Sequence, residues 1–329
     1  MIISRTPFRI SFFGGGTDYP EWYMKHGGAV LSTTFDKYCY ITSRELPPFF
    51  DHKYRITYSK VEDTKEIEQI EHPAIRAVLN EIDFDRGLEI HCDADLPARS
   101  GLGSSSSFVV GMLHSLKALQ NKEVTKEWLA NEAIRIEQVV LQENVGSQDQ
   151  VAAAFGGFNL IKFHPDGGFV VEPIVLPLQR KQSLESHLML FFTGFSRIAS
   201  EVAKSKIANL EKKSKELHNM RKMVDEALDV LSSNADMRMI GEMLHQTWEY
   251  KRTLSSKVSN EAIDKIYAQA RSAGAIGGKI LGAGGGGFLL LFVEPEKQHT
   301  VQKALSKLVH VPFQFESTGS QIGDYQYKH

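Results

Sequence analysis

The stretch 96–107 reads Leu-Pro-Ala-Arg-Ser-Gly-Leu-Gly-Ser-Ser-Ser-Ser and stands between a strand-like segment and a strongly periodic helix. Gly101 and Gly103 let the backbone turn tightly and approach a ligand closely. The serines supply hydroxyl groups at a helix start, where free N–H groups and the positive end of the helix dipole favour an anion. A flexible linker would not stand directly against a helix, and an ordinary N-cap needs one serine rather than four. The stretch therefore predicts a loop that binds a triphosphate.

The segments around this loop predict a mixture of strands and helices. Alternating apolar and polar residues predict strands over 2–12 and 88–93, and β-forming residues predict another over 30–42. Apolar residues at helical spacing predict helices over 104–119 and 129–140. The second half is predicted to contain strands at 188–192, 288–293 and 311–315 and helices at 200–232, 237–251, 260–272 and 296–308. Because strands and helices do not follow a regular βαβ alternation, the sequence predicts an α+β fold.

Length and composition predict a globular protein of two domains. The chain has 329 residues, and a single hydrophobic core rarely grows past roughly 250 to 300 residues. Hydrophobic residues make up 42% and charged residues 24%, which argues against disorder. A stretch rich in Gly and Pro, 156–177, carries a hairpin signal at His164–Gly168. We therefore expect an N-terminal domain over 1–178 and a C-terminal domain over 179–329.

Charge and cysteine content exclude several classes of partner. With 38 basic and 40 acidic residues, the chain lacks the net positive field of a general nucleic-acid binder. Cys39 and Cys92 show neither metal-ligand spacing nor a disulfide framework. The sequence has no leader of basic then apolar residues, and no window approaches 18 uninterrupted apolar residues. We expect a cytoplasmic protein with no nucleic-acid or membrane partner, and its oligomeric state stays open.

Two other glycine motifs do not fit common nucleotide-binding loops. A P-loop requires Gly-Lys followed by Ser or Thr, whereas Gly278-Lys279 is followed by Ile280. Gly14-Gly15-Gly16 runs into Thr17-Asp18 rather than into the helix-opening glycine of a dinucleotide fingerprint. The run 282–287 is too rich in glycine for a helix interior, where each glycine costs about 1 kcal/mol relative to alanine. It predicts either a loop whose backbone approaches another group closely or a simple hairpin turn.

Three separated segments resemble the three signatures of the GHMP kinase superfamily, which includes galactokinase, homoserine kinase, mevalonate kinase and phosphomevalonate kinase. They run from Thr6 to Tyr19, from Pro97 to Ser107 and from Leu281 to Phe288. Three matches in the correct order span nearly the whole chain and are highly specific. The resemblance implies a two-domain α+β GHMP kinase fold, with a left-handed β-α-β unit in the N-terminal domain and a ferredoxin-like C-terminal domain. It also places ATP against Pro97, Ser100, Gly101, Leu102, Gly103, Ser104, Ser105 and Ser106.

The resemblance assigns the chemistry to one carboxylate and one arginine. Phosphoryl transfer requires positioning, charge stabilisation and one group to accept the hydroxyl proton. Gly146-Ser147-Gln148-Asp149 resembles the Gly-x-x-Asp element that carries the catalytic aspartate of galactokinases and mevalonate kinases, so Asp149 is the expected base. Arg9 occupies the place of the cation that pairs with that aspartate. The alternatives are that Asp149 caps a helix and that Arg9 is an exposed strand residue.

The resemblance also implies magnesium, which takes hard oxygen ligands, usually one or two of them from protein. Ser105 matches the metal-binding serine of the second signature. Glu137 lies on the same helical stripe as Val140, so it is the second expected ligand, although a surface glutamate is the alternative.

Substrate-binding residues are expected in the first and third signatures. The Thr-Asp pair of the first signature resembles the galactokinase element in which an aspartate holds sugar hydroxyls. Residues expected to bind substrate are Gly15, Gly16, Thr17, Asp18, Gly284 and Gly285. Arg197, Lys279 and Arg99 are candidate cations for a phosphate group on the substrate.

The segment Phe12–Tyr19 is most similar to heptose 7-phosphate kinases, with the fucokinase domain a near relative. That likeness implies ATP-dependent phosphorylation of the anomeric hydroxyl of a heptose 7-phosphate, so the expected partner is a small sugar phosphate. A kinase for fucose or another free sugar is the alternative within the class. A non-catalytic nucleotide sensor on a kinase fold is the rival from a different class.

Overall fold

The first part of the chain forms a nine-stranded sheet in a computed structural model that describes residues 1–194 and 199–324. Its strands are β1 (Ile2–Phe13), β2 (Gly28–Glu45), β3 (Tyr54–Thr57), β4 (Val61–Thr64), β5 (Leu88–Ala94), β6 (Phe158–Phe163) and β7 (Phe169–Pro173). The two remaining strands come from the C-terminal end of the chain. The main path begins at β13 (Gln321–Asp324) and continues β1-β2-β5-β3-β4, and every pair in it is antiparallel except β3 with β5.

Six α-helices belong to the part of the chain that forms this sheet. They are α1 (Pro20–His26), α2 (Pro73–Glu81), α3 (Ser104–Leu119), α4 (Lys126–Arg135), α5 (Gln148–Phe155) and α6 (Leu178–Ser186). The helix α3 packs directly on β1 and β2. Gly111 permits this contact, because a Cβ there would lie 2.8 Å from Thr6 Oγ1. The crossover from β3 through α2 to the parallel strand β5 forms a β-α-β unit.

The second sheet has four antiparallel strands, β8 (Leu188–Phe192), β9 (Ala275–Ile280), β10 (Phe288–Val293) and β11 (Val309–His310). Their spatial order is β11-β8-β10-β9. Its helices are α7 (Ala199–Ile207), α8 (Ser214–Ser232), α9 (Arg238–Thr253), α10 (Glu261–Ser272) and α11 (Gln298–Ala304). Helices follow the first and third of these strands, which is the β-α-β-β-α-β arrangement of a ferredoxin-like unit. The predicted α+β class with a ferredoxin-like second unit is confirmed.

The C-terminal segment leaves the second sheet and returns to the first. Strand β12 (Phe315–Glu316) pairs with β2, and β13 (Gln321–Asp324) pairs with β1. The single strand predicted over 311–315 is therefore wrong, because β11 ends at His310 and β12 begins at Phe315. The division into 1–178 and 179–329 stays a prediction, although the chain beyond Phe315 belongs by its hydrogen bonds to the first sheet.

Two predicted helices are interrupted. The charged segment 200–232 divides into α7 and α8 around a 3-10 turn at Glu211–Lys213. The segment 129–140 is helical, but its last turn, Ile136–Val140, is a π-helix. Such π turns occur frequently at functional sites, and this one contains Glu137. No helix within residues 1–194 and 199–324 is long and apolar enough to cross a membrane.

Candidate active site

The loop before α3 has the backbone of an anion-binding site. Arg99, Gly101 and Gly103 have φ values of 58°, 84° and 76°, so the chain turns through left-handed conformations just before the helix. The helix then begins at Ser104, where its first N–H groups and positive dipole face the loop. Leu102 is fully buried and its carbonyl accepts a hydrogen bond from the Arg9 backbone N–H at 3.0 Å. The loop is therefore fixed to strand β1.

The glycine run 282–287, called the third glycine run below, lies directly against this loop. A Cβ on Gly282 would lie 2.5 Å from Gly101 Cα, and a Cβ on Gly287 would lie 2.1 Å from Ser100 O. The Phe288 N–H donates to the same Ser100 carbonyl at 3.2 Å. Only residues without a side chain permit this approach. The run is thus a close backbone contact between the two halves of the molecule, in addition to the turn between β9 and β10.

Arg9 and Asp149 form a bidentate ion pair beside the loop 96–103, called the phosphate loop below because it is predicted to bind phosphate. Arg9 Nε donates to Asp149 Oδ1 at 2.7 Å and Nη2 donates to Oδ2 at 2.9 Å. The third guanidinium nitrogen, Nη1, donates to Gly101 O at 2.7 Å. Arg9 is 3% exposed, whereas the Asp149 side chain keeps 23% of its surface accessible. A Cβ on Gly103 would lie 3.4 Å from Asp149 Cγ, so the pair also contacts the loop.

This geometry excludes both alternatives for the pair. Asp149 lies in the first turn of α5, but no side-chain hydrogen bond caps that helix. Its two oxygens accept from Arg9 instead. Arg9 is buried rather than exposed, and two parallel N–H···O bonds orient the carboxylate as well as balancing its charge.

Ser105 and Glu137 lie in contact at the start of α3. Ser105 Oγ donates to Glu137 Oε1 at 2.7 Å, and Ser106 Oγ donates to Oε2 at 2.6 Å. Gln150 Nε2 also donates to Oε2. Glu137 is completely buried, which rules out the surface alternative. Burial raises the pKa of Glu137 to about 7, against the opposing effect of the hydrogen bonds from Ser106 and Ser105.

This pair fits the requirements of magnesium. The ion prefers one or two hard protein oxygens and completes its shell with phosphate and water. Glu137 and the exposed Ser105 supply a carboxylate and a hydroxyl oxygen beside the helix start where a triphosphate would lie. The described residues hold no cluster of three or more His, Cys, Asp or Glu side chains, so any cation here relies on its nucleotide for further ligands.

The loop between β1 and α1 presents a second buried carboxylate, Asp18. Its Oδ1 accepts from the Gly16 N–H at 2.8 Å, and its Oδ2 accepts from Gln148 Nε2 at 2.8 Å. A Cβ on Gly146 would lie 2.0 Å from Oδ2, so this position requires glycine. Burial raises the pKa of Asp18 above its usual value and the charge of Asp149 adds to that shift, whereas the two hydrogen bonds oppose it.

The segment that carries Asp149 therefore also docks on the Asp18 loop. Ser147 N–H donates to Asp18 O at 2.9 Å, while Gln148 holds the Asp18 carboxylate. Sequence reasoning missed Gln148 and Gln150, each of which orients one of the buried carboxylates. Their position on either side of Asp149 is the only sequence signal that could have indicated them.

Several expected substrate residues have other contacts. Thr17 is fully buried, and its hydroxyl lies 2.8 Å from Gly14 O and accepts from the Ala29 N–H at 3.1 Å. These bonds occupy the Thr17 hydroxyl as donor and as acceptor, so in this structure it fixes the loop. Gly285 N–H donates to Val258 O at 2.7 Å, so this part of the glycine run contacts the connection between α9 and α10.

Gly284 lies against the same residue, since a Cβ there would be 2.8 Å from Val258 O. Gly15, by contrast, lies beside polar side chains, because a Cβ there would be 3.4 Å from Ser11 Oγ and 3.6 Å from Gln148 Nε2.

The candidate cations for a substrate phosphate are dispersed. Lys279 is buried and donates to Phe12 O at 2.7 Å, so it joins β9 to β1. Burial lowers the pKa of Lys279 to about 7. Arg99 is an exposed residue of the phosphate loop. Arg197 lies outside the described residues.

Comparison with known proteins identifies the family. The family model for the GHMP kinases N terminal domain matches residues 68–157, and the model for the GHMP kinases C terminal matches residues 227–311. The D-glycero-alpha-D-manno-heptose 7-phosphate kinase of Campylobacter jejuni is 32% identical over 317 residues, which cover 93% of each chain. A crystal structure of a D-glycero-D-manno-heptose 1-phosphate kinase from Bacteroides thetaiotaomicron is 25% identical and aligns with a TM-score of 0.82 over 99% of this chain and 100% of that one.

A longer relative matches through one part only. The bifunctional fucokinase/GDP-fucose pyrophosphorylase of Arabidopsis thaliana is 26% identical over 92% of this chain, which spans 31% of that protein. Fold and site together define a phosphotransferase with an alcohol group as acceptor. The chain belongs to the GHMP kinase family.

Proposed function

We propose that this protein transfers the γ-phosphate of ATP to the anomeric hydroxyl of D-glycero-D-manno-heptose 7-phosphate, giving the 1,7-bisphosphate. The observation that carries the kinase chemistry is the Arg9–Asp149 pair, which contacts the phosphate loop through Gly101 and Gly103. The choice of acceptor is supported by the similarity to the Campylobacter jejuni heptose 7-phosphate kinase over 93% of both chains. A further argument for a polyhydroxylated acceptor is the Asp18 carboxylate, whose two oxygens can accept hydrogen bonds from sugar hydroxyls.

Asp149 accepts the proton of the attacking hydroxyl. The transition state of phosphoryl transfer is loose, so the enzyme mainly positions the hydroxyl and stabilises charge. Asp149 is accessible to the extent of 23% of its side-chain surface, so a hydroxyl can reach it. Arg9 holds both carboxylate oxygens from the buried side and keeps the group aimed at the loop. After transfer, the proton rests on a carboxylate oxygen and leaves to solvent.

The phosphate loop and the start of α3 hold the nucleotide. Backbone N–H groups at the helix start donate to phosphate oxygens, and the helix dipole stabilises their charge. Ser105 and Glu137 would hold magnesium, which supplies charge neutralisation to the bound phosphates. The third glycine run packs against Ser100 and Gly101 of this loop, and its residues place no side chain there.

Asp18 binds the acceptor. Each of its oxygens accepts one hydrogen bond from the protein and retains a lone pair for a sugar hydroxyl. Its fixed position relative to Asp149 follows from Gln148, which neighbours Asp149 and holds Asp18. A sugar hydroxyl bound at Asp18 therefore places the rest of the ring in a constrained position before the base.

The test is ADP release with Mg-ATP against heptoses and hexoses, each offered free and phosphorylated, with ³¹P NMR of any product. We expect turnover with D-glycero-D-manno-heptose 7-phosphate and a new anomeric phosphate signal in the product. Turnover confined to fucose or another free sugar would keep the kinase class and reject this acceptor. ATP binding without a product from any sugar in the panel would favour the nucleotide-sensing alternative.

A further inference from the structure

Lys206 is a buried cation that the chemistry described above does not use. It lies on α7 and is 5% exposed, packed beside a cluster of apolar residues from α1, α7, α8 and the Asp18 loop. Burying an ammonium group costs free energy unless charged or polar partners replace its water. Among the described residues, Asp18, Asp149 and Arg9 act on its ammonium through their charge at a distance, and no hydrogen bond joins them to it. Its three N–H donors therefore have no hydrogen-bond acceptor among the described residues, although the Tyr19 ring and the carboxylates of Asp18 and Asp149 lie near enough to stabilise its charge.

The position of Lys206 relates it to the acceptor rather than to ATP. Its Nζ lies 5.2 Å from the centroid of the Tyr19 ring, and Tyr19 directly follows Asp18. Burial lowers the pKa of Lys206 to about 8, while the charges of Asp18 and then Asp149 oppose that shift. Asp18 has the larger effect on Lys206, ahead of Asp149 and of Arg9, which contacts the phosphate loop.

Other buried lysines near the site already have partners. Lys251 donates to Ile280 O at 2.7 Å and to Gly282 O at 2.6 Å, so it supports the third glycine run. Lys279 donates to Phe12 O. Both ammonium groups are held by backbone carbonyls, and the bond from Lys279 joins the two sheets. Of the buried lysines 206, 251 and 279, Lys206 is the one with donors available for a ligand among the described residues.

An ammonium with three N–H donors and no acceptor suits an anion, and a phosphate monoester supplies both the charge and the oxygen acceptors. We infer that Lys206 binds the phosphate group that the acceptor already carries, and so distinguishes a sugar phosphate from the free sugar. This inference rests on the proposed acceptor. In this arrangement Asp18 holds hydroxyls of the sugar while Lys206 pairs with its phosphate, which gives each end of the acceptor a charged partner.

The experiment compares wild type with Lys206→Met and a matched control, Lys204→Met. Lys204 is on the same helix but exposed, so its replacement should change nothing. Methionine retains much of the lysine stem and removes the buried charge, a change that is often neutral or stabilising. Kinetics with heptose 7-phosphate and with free heptose are measured at saturating Mg-ATP. We expect Lys206→Met to raise KM for the phosphorylated acceptor about 100-fold, as for loss of a close charge pair, and to leave kcat/KM for free heptose within about twofold.

Two kinetic outcomes would overturn the assignment. An equal loss on the phosphorylated and free acceptors would make Lys206 a residue for the sugar or for the fold. A fall in kcat without a change in KM would place it on the transferred phosphoryl group instead. Thermal unfolding of each variant checks that the fold is retained, and Lys206→Gln provides a second neutral replacement if methionine does not fold.

Calorimetry separates failure of this assignment from failure of the proposed reaction. Mannose 6-phosphate, sedoheptulose 7-phosphate and heptose 7-phosphate are titrated into each protein beside their unphosphorylated forms. Wild type should bind at least one sugar phosphate more tightly than its free sugar, and Lys206→Met should remove that preference. This result would sustain the role of Lys206 even if heptose 7-phosphate is not turned over. Absence of any preference in wild type, or its persistence in Lys206→Met, would refute the role of Lys206 whatever the reaction is.

Discussion

Arg9→Lys isolates the geometric role of the arginine at the proposed catalytic centre. Arg9 makes two bonds to the Asp149 carboxylate and one to Gly101 O. Lysine keeps the positive charge, so the buried carboxylate is not left without a cation. Complete removal of the charge would be less informative, because breaking a buried pair destabilises proteins by about 3–5 kcal/mol. Lysine cannot fork to two oxygens and reach Gly101 at the same time.

The size of the effect follows from the bonds that are lost. A hydrogen bond to a charged group contributes about 1.5–3 kcal/mol. Loss of one of the two carboxylate bonds releases Asp149 from its fixed orientation. If the lost bond stabilises the transition state by about 2 kcal/mol more than the bound substrate, kcat falls about 30-fold. KM for the acceptor should change less than threefold, because Asp18 and Lys206 are untouched.

The assay is steady-state ADP release at saturating acceptor and ATP, together with thermal unfolding of each variant. Arg5→Lys is the matched control, since Arg5 lies on the same strand and donates to Gln321 at 3.2 Å, at the end of the strand remote from the phosphate loop. It should retain wild-type kcat. A kcat within threefold of wild type for Arg9→Lys would falsify a catalytic role for the bidentate contact between Arg9 and Asp149. A loss confined to KM would do the same.

Three further outcomes follow from the same geometry. Asp149→Asn should lower kcat at least about 1,000-fold with unchanged circular dichroism; near-normal turnover would remove Asp149 as the base. Gly282→Ala should raise KM for ATP about tenfold, because its Cβ would lie 2.5 Å from Gly101 Cα, whereas Gly167→Ala, at a positive φ but in open space, should leave KM for ATP unchanged. Burial lowers the pKa of Lys206 to about 8 in the folded protein, against about 10.4 in the unfolded chain. Between these two pH values the unfolded chain therefore binds more protons at this residue than the folded protein does. The free energy of unfolding of wild type relative to Lys206→Met should therefore rise by about 3 kcal/mol as pH increases through this window in urea titrations; a constant difference would contradict the lowered pKa.

Local sequence features predicted much of the site. The loop 96–103 could be predicted to bind phosphate because tight turns, helix capping and close backbone approach each restrict the residue type at adjacent positions. The same reasoning indicated that the run 282–287 approaches another backbone, and the structure places it against the phosphate loop. Arg9, Asp149, Ser105 and Glu137 could be selected because their segments resemble family signatures, and the structure brings them together as two pairs.

Other features were outside the reach of sequence patterns. Thr17 looked like a sugar ligand, but its small hydroxyl bonds to the loop backbone and to the Ala29 N–H on the adjacent strand. The return of β12 and β13 to the first sheet could not be predicted from strands of two and four residues, which are too short to show an alternating pattern.

The sequence by itself determined the α+β class, the glycine loops and the residues proposed for the chemistry, because those depend on local backbone demands and on short motifs. Only the tertiary structure decided which charges are buried and what they face. Lys206 is one of many lysines in a charged helical region, and nothing near it in sequence distinguishes it from exposed Lys204. Burial and electrostatic neighbours arise from packing between segments far apart in the chain, here α7 against the Asp18 loop.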